Sequence, residues 1–164
     1  METFEIIDRE AVWRYNESGD DLGMDWAAES HPVGGNWASG PGGLAFDSGL
    51  TFPVGTTLTN PLSNSPRVVT YYFETDFELT EAQAAGVLAM SLDYAVDDGA
   101  VFYLNGVEVE RVRMPAGPIT ASTLASSGLG NAEFSGLVEV AIPPGAVVPG
   151  TNRFSVEVHQ NSTG

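Results

Sequence analysis

The sequence has 164 residues, enough for one domain with a hydrophobic core, because a chain of this size buries roughly 70% of the surface that its unfolded form exposes. It carries 22 Asp and Glu residues against six basic residues, all of them arginine, which gives a formal net charge of -16. This balance excludes nucleic acid and anionic membranes as expected partners, and the lack of cysteine excludes thiol catalysis, thiolate-bound metals and disulfides.

No apolar stretch has the length of a membrane-spanning helix, and the residues after Met1 (ETFEIIDRE) are too charged for a signal peptide. We therefore expect either a cytosolic protein or, as the preferred alternative, a fragment of a larger one. An acidic, lysine-free surface suits salty or extracellular settings, although high-GC codon usage produces the same lack of lysine.

The first part of the chain contains two short strand-like pieces, FEII (4–7) and AVWRY (11–15), followed by a polar loop. Residues 34–55 are rich in glycine, which is typical of a flexible linker. Because Trp37 and Phe46 supply apolar anchors within this stretch, we interpret it as a long ordered excursion.

Strict alternation of apolar and polar residues begins after Pro66 and is the primary signal for half-buried strands. It occurs in RVVTYYF (67–73), VLAMSLDY (87–94, with Leu88, Met90, Leu92 and Tyr94 on one face), LVEVAI (137–142) and RFSVEVH (153–159). Between them, TEAQAAG predicts one or two helical turns, with Thr80 and Gln83 as a capping box and Gly86 as the stop. The sequence thus predicts a single all-β domain over residues 1–164, a sandwich or jelly roll with at most one or two short helical turns.

Asn105-Gly106 lies between two apolar runs, AVFYL and VEVERV. This dipeptide tolerates the positive φ angles of a type I′ turn, so we expect a tight β-hairpin. Its apolar positions, Phe102, Leu104, Val107 and Val109, are expected to face the core.

At the open end of this hairpin stand Asp97, Asp98 and Gly99, for which three interpretations remain open. The aspartates can close a turn by accepting backbone N–H groups. They can bind Ca²⁺, although DDG lacks the spacing of an EF-hand loop. A catalytic carboxylate pair is disfavoured, because adjacent residues on a strand point to opposite faces.

Trp26 and Trp37 are expected in loops, where an indole either caps the core or stacks on a sugar ring. Arg113 enters the MPAG turn and is a candidate for hydrogen bonding a polar ligand. His159 lies opposite the apolar row of its strand, which indicates a hydrogen-bonded structural role. No set of nucleophile, base and oxyanion donors is recognisable, so we predict a protein without catalytic activity.

In chain order, several segments together resemble a galactose-binding-like jelly-roll domain. They are Trp13-Arg14-Tyr15, Trp26, WASGP (37–41), YYFETDF (71–77), DDGAVFYLNGVEVERVRMPAG (97–117) and GTNRFSVEVHQ (150–160). Such domains are accessory modules of large secreted bacterial proteins, and similar domains continue past VEVHQ into one more turn and a closing strand. The resemblance therefore implies that a final strand is missing here and that a neighbouring strand has an open edge.

The resemblance also implies an extracellular or cell-surface carbohydrate-binding module that needs no cofactor but can hold a structural Ca²⁺. In that hypothesis, Trp26, Trp37 and Arg113 on end loops bind a neutral glycan weakly, and Asp97 and Asp98 provide the metal site. Its partners would be a glycan and the other domains of the same parent chain, without membrane insertion. The alternative is a structural or assembly domain that self-associates by strand pairing at the open edge.

Overall fold

The computed structural model describes residues 3–47, 49–63, 65–87, 89–132 and 134–163. Its first strands are β1 (Val12–Asn16), β2 (Trp37–Pro41), β3 (Leu44–Ala45), β4 (Thr56–Thr57) and β5 (Thr70–Leu79), followed by the helix α1 (Glu81–Gly86). The remaining strands are β6 (Met90–Leu92), β7 (Gly99–Leu104), β8 (Val107–Val112), β9 (Val138–Val140) and β10 (Gly150–His159). Two short 3₁₀ turns span Trp26–Ala28 and Pro61–Ser63. No helix in this described part is long and apolar enough to cross a membrane.

Six strands form one sheet in the order β2-β1-β5-β10-β7-β8, and every neighbouring pair is antiparallel. The two ten-residue strands β5 and β10 lie at its centre and pair along their whole length, from Leu79 opposite Gly150 to Thr70 opposite His159. The second layer consists of short pieces, a parallel pair β3–β4 and an antiparallel pair β6–β9. The predicted all-β sandwich with little helix is confirmed.

The inner face of the six-stranded sheet carries the core, because the alternating apolar residues of its central strands all point to that side. Phe102 and Phe154 stack with ring centroids 6.1 Å apart, and Trp13 packs edge-on against Phe154 at 6.3 Å. Trp13 is therefore a core residue. In the second layer, Met90, Leu92 and Tyr94 pack against the same cluster.

The outer face of the sheet is polar and yet largely buried. Its buried residues include Tyr72, Glu74, Ser155, Glu157 and His159, all below 5% exposed. Two chain segments, 17–36 and 117–125, cover this face. The alternation of the sequence predicted which side chains point outward, but it did not predict that other segments return to cover them.

Two local predictions from the sequence, the capping box and the hairpin turn, are confirmed, and two others are wrong. The capping box of α1 is present, with the Thr80 side chain accepting from the Gln83 backbone, and the hairpin turn has φ angles of 48° at Asn105 and 82° at Gly106. Residues 4–7, predicted as a strand, form none, because they find no strand partner. Val107, predicted to face the core, is 42% exposed because it stands at the turn end of an edge strand.

Two further expectations concern strand positions. Trp37 was expected in a loop but begins β2, where it pairs with Asn16. Leu88 lies outside the described residues.

The edges of the six-stranded sheet are β2 and β8, whereas β10, the last strand of the chain, is paired on both sides. An assembly role for an open edge stays a prediction.

Candidate functional site

A cavity of about 250 Å³ lies on the outer face of the six-stranded sheet, and we call it the outer cavity. Its floor consists of Tyr72 from β5, Tyr103 from β7 and Glu157 from β10. One wall is formed by residues 21–26 and the other by residues 117–121, while Glu108 and Arg111 of β8 close the side. The site is therefore a sheet face enclosed between two covering segments.

The sheet register brings the floor residues together. Glu157 lies directly opposite Tyr72, and Tyr103 lies opposite Ser155, one alternate position away on the same face. The Tyr103 hydroxyl donates a hydrogen bond of 2.5 Å to Oε1 of Glu157. Burial and the Glu157 charge raise the pKa of both tyrosine hydroxyls well above its ordinary value, so both phenols stay protonated.

The second oxygen of Glu157 faces a buried histidine. Oε2 lies 3.3 Å from Nε2 of His159, and both side chains are almost fully buried. Nδ1 of His159 lies 2.7 Å from the Thr123 carbonyl oxygen and 2.9 Å from the Thr70 hydroxyl. The Tyr103 hydroxyl therefore fixes the Glu157 carboxylate on the floor of the outer cavity, while Nε2 of His159, which has no hydrogen-bond partner among the described residues, lies beside it. The hydrogen-bonded structural role predicted for His159 is confirmed on its Nδ1 side.

Arg111 holds the side of the outer cavity in place. Its Nε and Nη2 donate to both carboxylate oxygens of Glu108, at 2.8 and 2.7 Å. Its Nη1 donates to the carbonyl oxygens of Pro115 and Gly117, at 2.5 and 3.0 Å. Such a bidentate arrangement is rigid, so Arg111 ties the edge strand to the wall segment that follows it.

The opposite wall is aromatic. Trp26 is 3% exposed and packs edge-to-face on Tyr72 and Tyr103, with ring centroids 4.8 and 5.9 Å apart. Its segment is anchored by His31, whose backbone N–H and Nδ1 lie 3.1 and 2.9 Å from the carboxylate of the fully buried Glu74. Trp26 therefore lines the outer cavity as part of a packed wall.

The structure separates the predicted carbohydrate-binding residues. Trp37 stacks on His31, with centroids 4.4 Å apart and an interplanar angle of 12°, so it lies behind the wall and in the same small cluster as Trp26. Arg113 lies elsewhere, where its Nε and Nη2 donate to the carbonyl oxygens of Asp98 and Val96. The two tryptophans come together, and Arg113 joins the predicted metal site instead.

At that predicted metal site, Asp98 is 5% exposed and accepts two backbone N–H groups, from Leu129 and Asn161, both at 2.8 Å. Asp97 is half-buried, and its pKa rises to about 7 because of burial and of the adjacent Asp98 carboxyl. The described residues include no group of three or more His, Cys, Asp or Glu side chains placed to hold a metal ion. Asp98 ties distant segments together, and calcium binding stays a prediction.

The floor of the outer cavity was missed at the level of sequence. Tyr72 and Glu157 occupy outward positions of strands that the alternation predicted, and Tyr103 lies on a strand of the predicted hairpin. Two tyrosines and a glutamate on the polar side of predicted strands were the available signal. The sequence pattern favoured aromatic residues in loops instead.

Comparison with known proteins supports the fold alone. No protein-family model matches the chain, and curated proteins show no significant match. Among solved structures, a β-glucuronidase from Ruminococcus gnavus in complex with D-glucuronic acid is similar, with a TM-score of 0.54 and 15% identity over 92% of this chain. The same enzyme's crystal structure and its complex with D-glucaro 1,5-lactone give TM-scores of 0.54 and 0.53, both at 15% identity and 92% coverage. The chain spans about a fifth of the length of those enzyme chains, 21%, 20% and 21% respectively. The fold of this chain therefore also occurs as about a fifth of a β-glucuronidase chain.

Proposed function

We propose that this chain is a non-catalytic, galactose-binding-like accessory module that holds one sugar residue of a neutral glycan in the outer cavity. The observation that supports this function best is the floor of that cavity. There, two tyrosines and a fixed carboxylate lie beside the ring of Trp26. Aromatic rings contact the apolar faces of sugar rings, and carboxylates accept hydrogen bonds from their hydroxyls.

The size of the outer cavity favours a single ring. Its volume of about 250 Å³ falls just below the roughly 300–1,000 Å³ of sites for drug-sized ligands. A longer glycan would place one residue inside and leave the others in solvent. The resulting affinity is weak, which is consistent with a role in keeping a larger protein near its polysaccharide.

The charges of the site favour a neutral sugar. Glu157 on the floor, Glu108 at the side and Asp21 on the wall are acidic, and the one guanidinium among the described lining residues, that of Arg111, already binds Glu108. A ligand carboxylate would lie near these charges without a free cation to pair with, which costs binding energy. We therefore expect the module to reject uronic acids.

Calorimetric titration with methyl glycosides of glucose, galactose, mannose and xylose, and with oligosaccharides of the same sugars, tests this function. We expect at least one neutral ligand to bind with a Kd in the millimolar to high micromolar range. Tyr103→Phe, which removes only the hydroxyl bound to Glu157, should weaken that binding at least fivefold. Tyr94→Phe is the matched control, because Tyr94 packs on the inner face against Phe102 at 5.0 Å. Absence of binding throughout the panel, or an equal loss in both variants, would contradict the proposal.

A further inference from the structure

A second, larger cavity lies between the two layers of the sandwich, and we call it the inner cavity. Its volume is about 1340 Å³. Its floor is the apolar face of the six-stranded sheet, and its other sides come from the short strands and loops of the second layer. Aromatic residues line it from both sides, namely Phe73, Phe77, Phe102 and Phe154 on the sheet and Phe46, Phe52 and Phe134 opposite.

The thin second layer explains the size of this space. The strands β3, β4, β6 and β9 have only two or three residues each, whereas the central strands that they should cover have ten. Protein interiors are normally close-packed, and an empty apolar cavity destabilises a fold in proportion to its volume. Engineered apolar cavities of about 150 Å³ already bind small hydrophobic molecules. A cavity several times larger is therefore suited to an apolar ligand.

The charged groups around the inner cavity indicate what else that ligand carries. Among the described residues that line the inner cavity, every charged side chain is acidic except that of Arg9. Arg9 itself forms an ion pair with Asp93 at 2.6 Å. Two of these acids, Asp47 and Asp97, are half-buried and line the same cavity. They offer an anionic position at the border between the apolar space and the solvent.

Asp97 is poorly compensated in the free protein. It faces the carboxylates of Asp98 and Asp47, and the cation near it, Arg113, donates to the carbonyl oxygens of Asp98 and Val96. A positive charge placed here would relieve this repulsion, while a negative charge would add to it.

We propose that the inner cavity binds a small amphiphile, with its apolar body against the phenylalanines and a positively charged group beside Asp47 and Asp97. This ligand class is independent of the sugar proposed for the outer cavity, because the two spaces lie on opposite faces of the same sheet. The charge distribution around the cavity distinguishes this ligand from a fatty acid or another anionic lipid.

Three decyl probes that share a tail and differ in head group test the proposal: decyltrimethylammonium, decyl sulfate and decyl penta(ethylene glycol) ether, each titrated below its micelle concentration. We expect the cation to bind at least fivefold more tightly than the neutral ether, and the sulfate most weakly. Asp97→Asn and Asp47→Asn should each reduce the preference for the cation over the ether. Asp25→Asn removes the same charge from an exposed residue whose side chain makes no capping hydrogen bond, and should leave that preference unchanged.

Filling the inner cavity provides an independent test. Ala132→Phe from one wall and Val156→Phe from the floor should each weaken binding of all three probes, because both residues are 7% exposed and line the space. Val12→Phe, on the exposed outer face of β1, is the control. The proposal is overturned if the unmodified protein binds none of the probes or binds the sulfate as tightly as the cation. It is also overturned if both substitutions that add a phenylalanine leave the affinity of a folded protein unchanged, or if Asp25→Asn changes the preference as much as Asp97→Asn. Glycan titrations remain a separate readout of the outer cavity.

Discussion

The Tyr103 hydroxyl and the Glu157 carboxylate form a hydrogen bond of 2.5 Å that joins two neighbouring strands on the outer face of the sheet. Glu157 is 4% exposed, so this bond satisfies a charged group that solvent scarcely reaches. The pair therefore contributes to stability as well as to the proposed binding floor, and the two contributions can be measured separately.

Tyr103→Phe should lower the free energy of unfolding by about 1–3 kcal/mol, the usual effect of leaving a buried charged acceptor without its donor. Urea denaturation followed by tryptophan fluorescence measures the change. Tyr94→Phe, which alters a tyrosine of the second layer that packs on Phe102, should change stability by less. Equal effects of the two substitutions on the free energy of unfolding would show that the hydrogen bond to Glu157 does not stabilise the fold.

Glu74→Ala should destabilise the protein more strongly, by about 3–5 kcal/mol, because it leaves a buried network without its central charge. Glu74 is fully buried and accepts hydrogen bonds from Arg14 at 2.7 Å and from the backbone of His31 at 3.1 Å. Glu74→Gln keeps an acceptor and should lose less. Thermal unfolding of both variants measures this order, and a reversed order would contradict the role given to the charge.

Gly106→Ala should destabilise the hairpin and the covering segment together. Gly106 has φ of 82°, and a methyl group there would approach Cβ of Ala28 to 2.7 Å. Gly145→Ala is a matched control, because Gly145 has φ of 78° and open space around its Cβ position. Backbone strain alone costs roughly 1–2 kcal/mol, so Gly106→Ala should exceed the control by the cost of the clash. Hydrogen exchange should also increase in residues 25–31 for Gly106→Ala and stay unchanged for Gly145→Ala.

Asp97 should make the fold less stable as the pH rises. Its pKa rises from 3.8 to about 7 in the folded protein, chiefly because of burial and then of Asp98, so the folded state binds this proton more tightly than the unfolded chain. The stabilisation is complete below about pH 4 and is lost as the pH rises through 7. Asp97→Asn should therefore raise Tm relative to the unmodified protein more at pH 8 than at pH 5. The same gain in Asp25→Asn would assign the effect to net charge instead.

Period-two patterns predicted β5, β6, β9 and β10, and the Asn105-Gly106 turn predicted the hairpin, whereas β2 was missed because Trp37 was expected in a loop. The outer cavity could not be predicted in this way. Its walls depend on contacts between residues far apart in sequence, such as His31 with Glu74, which are 43 positions apart. Local composition identified Trp26 as an aromatic residue in a polar segment, but only the folded chain places its ring over Tyr72 and Tyr103.

The most direct test of the proposed function is a comparison of matched sugars by NMR. Each neutral methyl glycoside that binds is titrated beside its uronic acid counterpart, and the indole N–H signals of the three tryptophans are followed. We expect the neutral sugar to shift the Trp26 signal and to leave that of Trp13 on the inner face unchanged, while the uronic acid shifts neither. A uronic acid that binds as well as the neutral sugar, or a titration that moves Trp13 and leaves Trp26 unchanged, would contradict it.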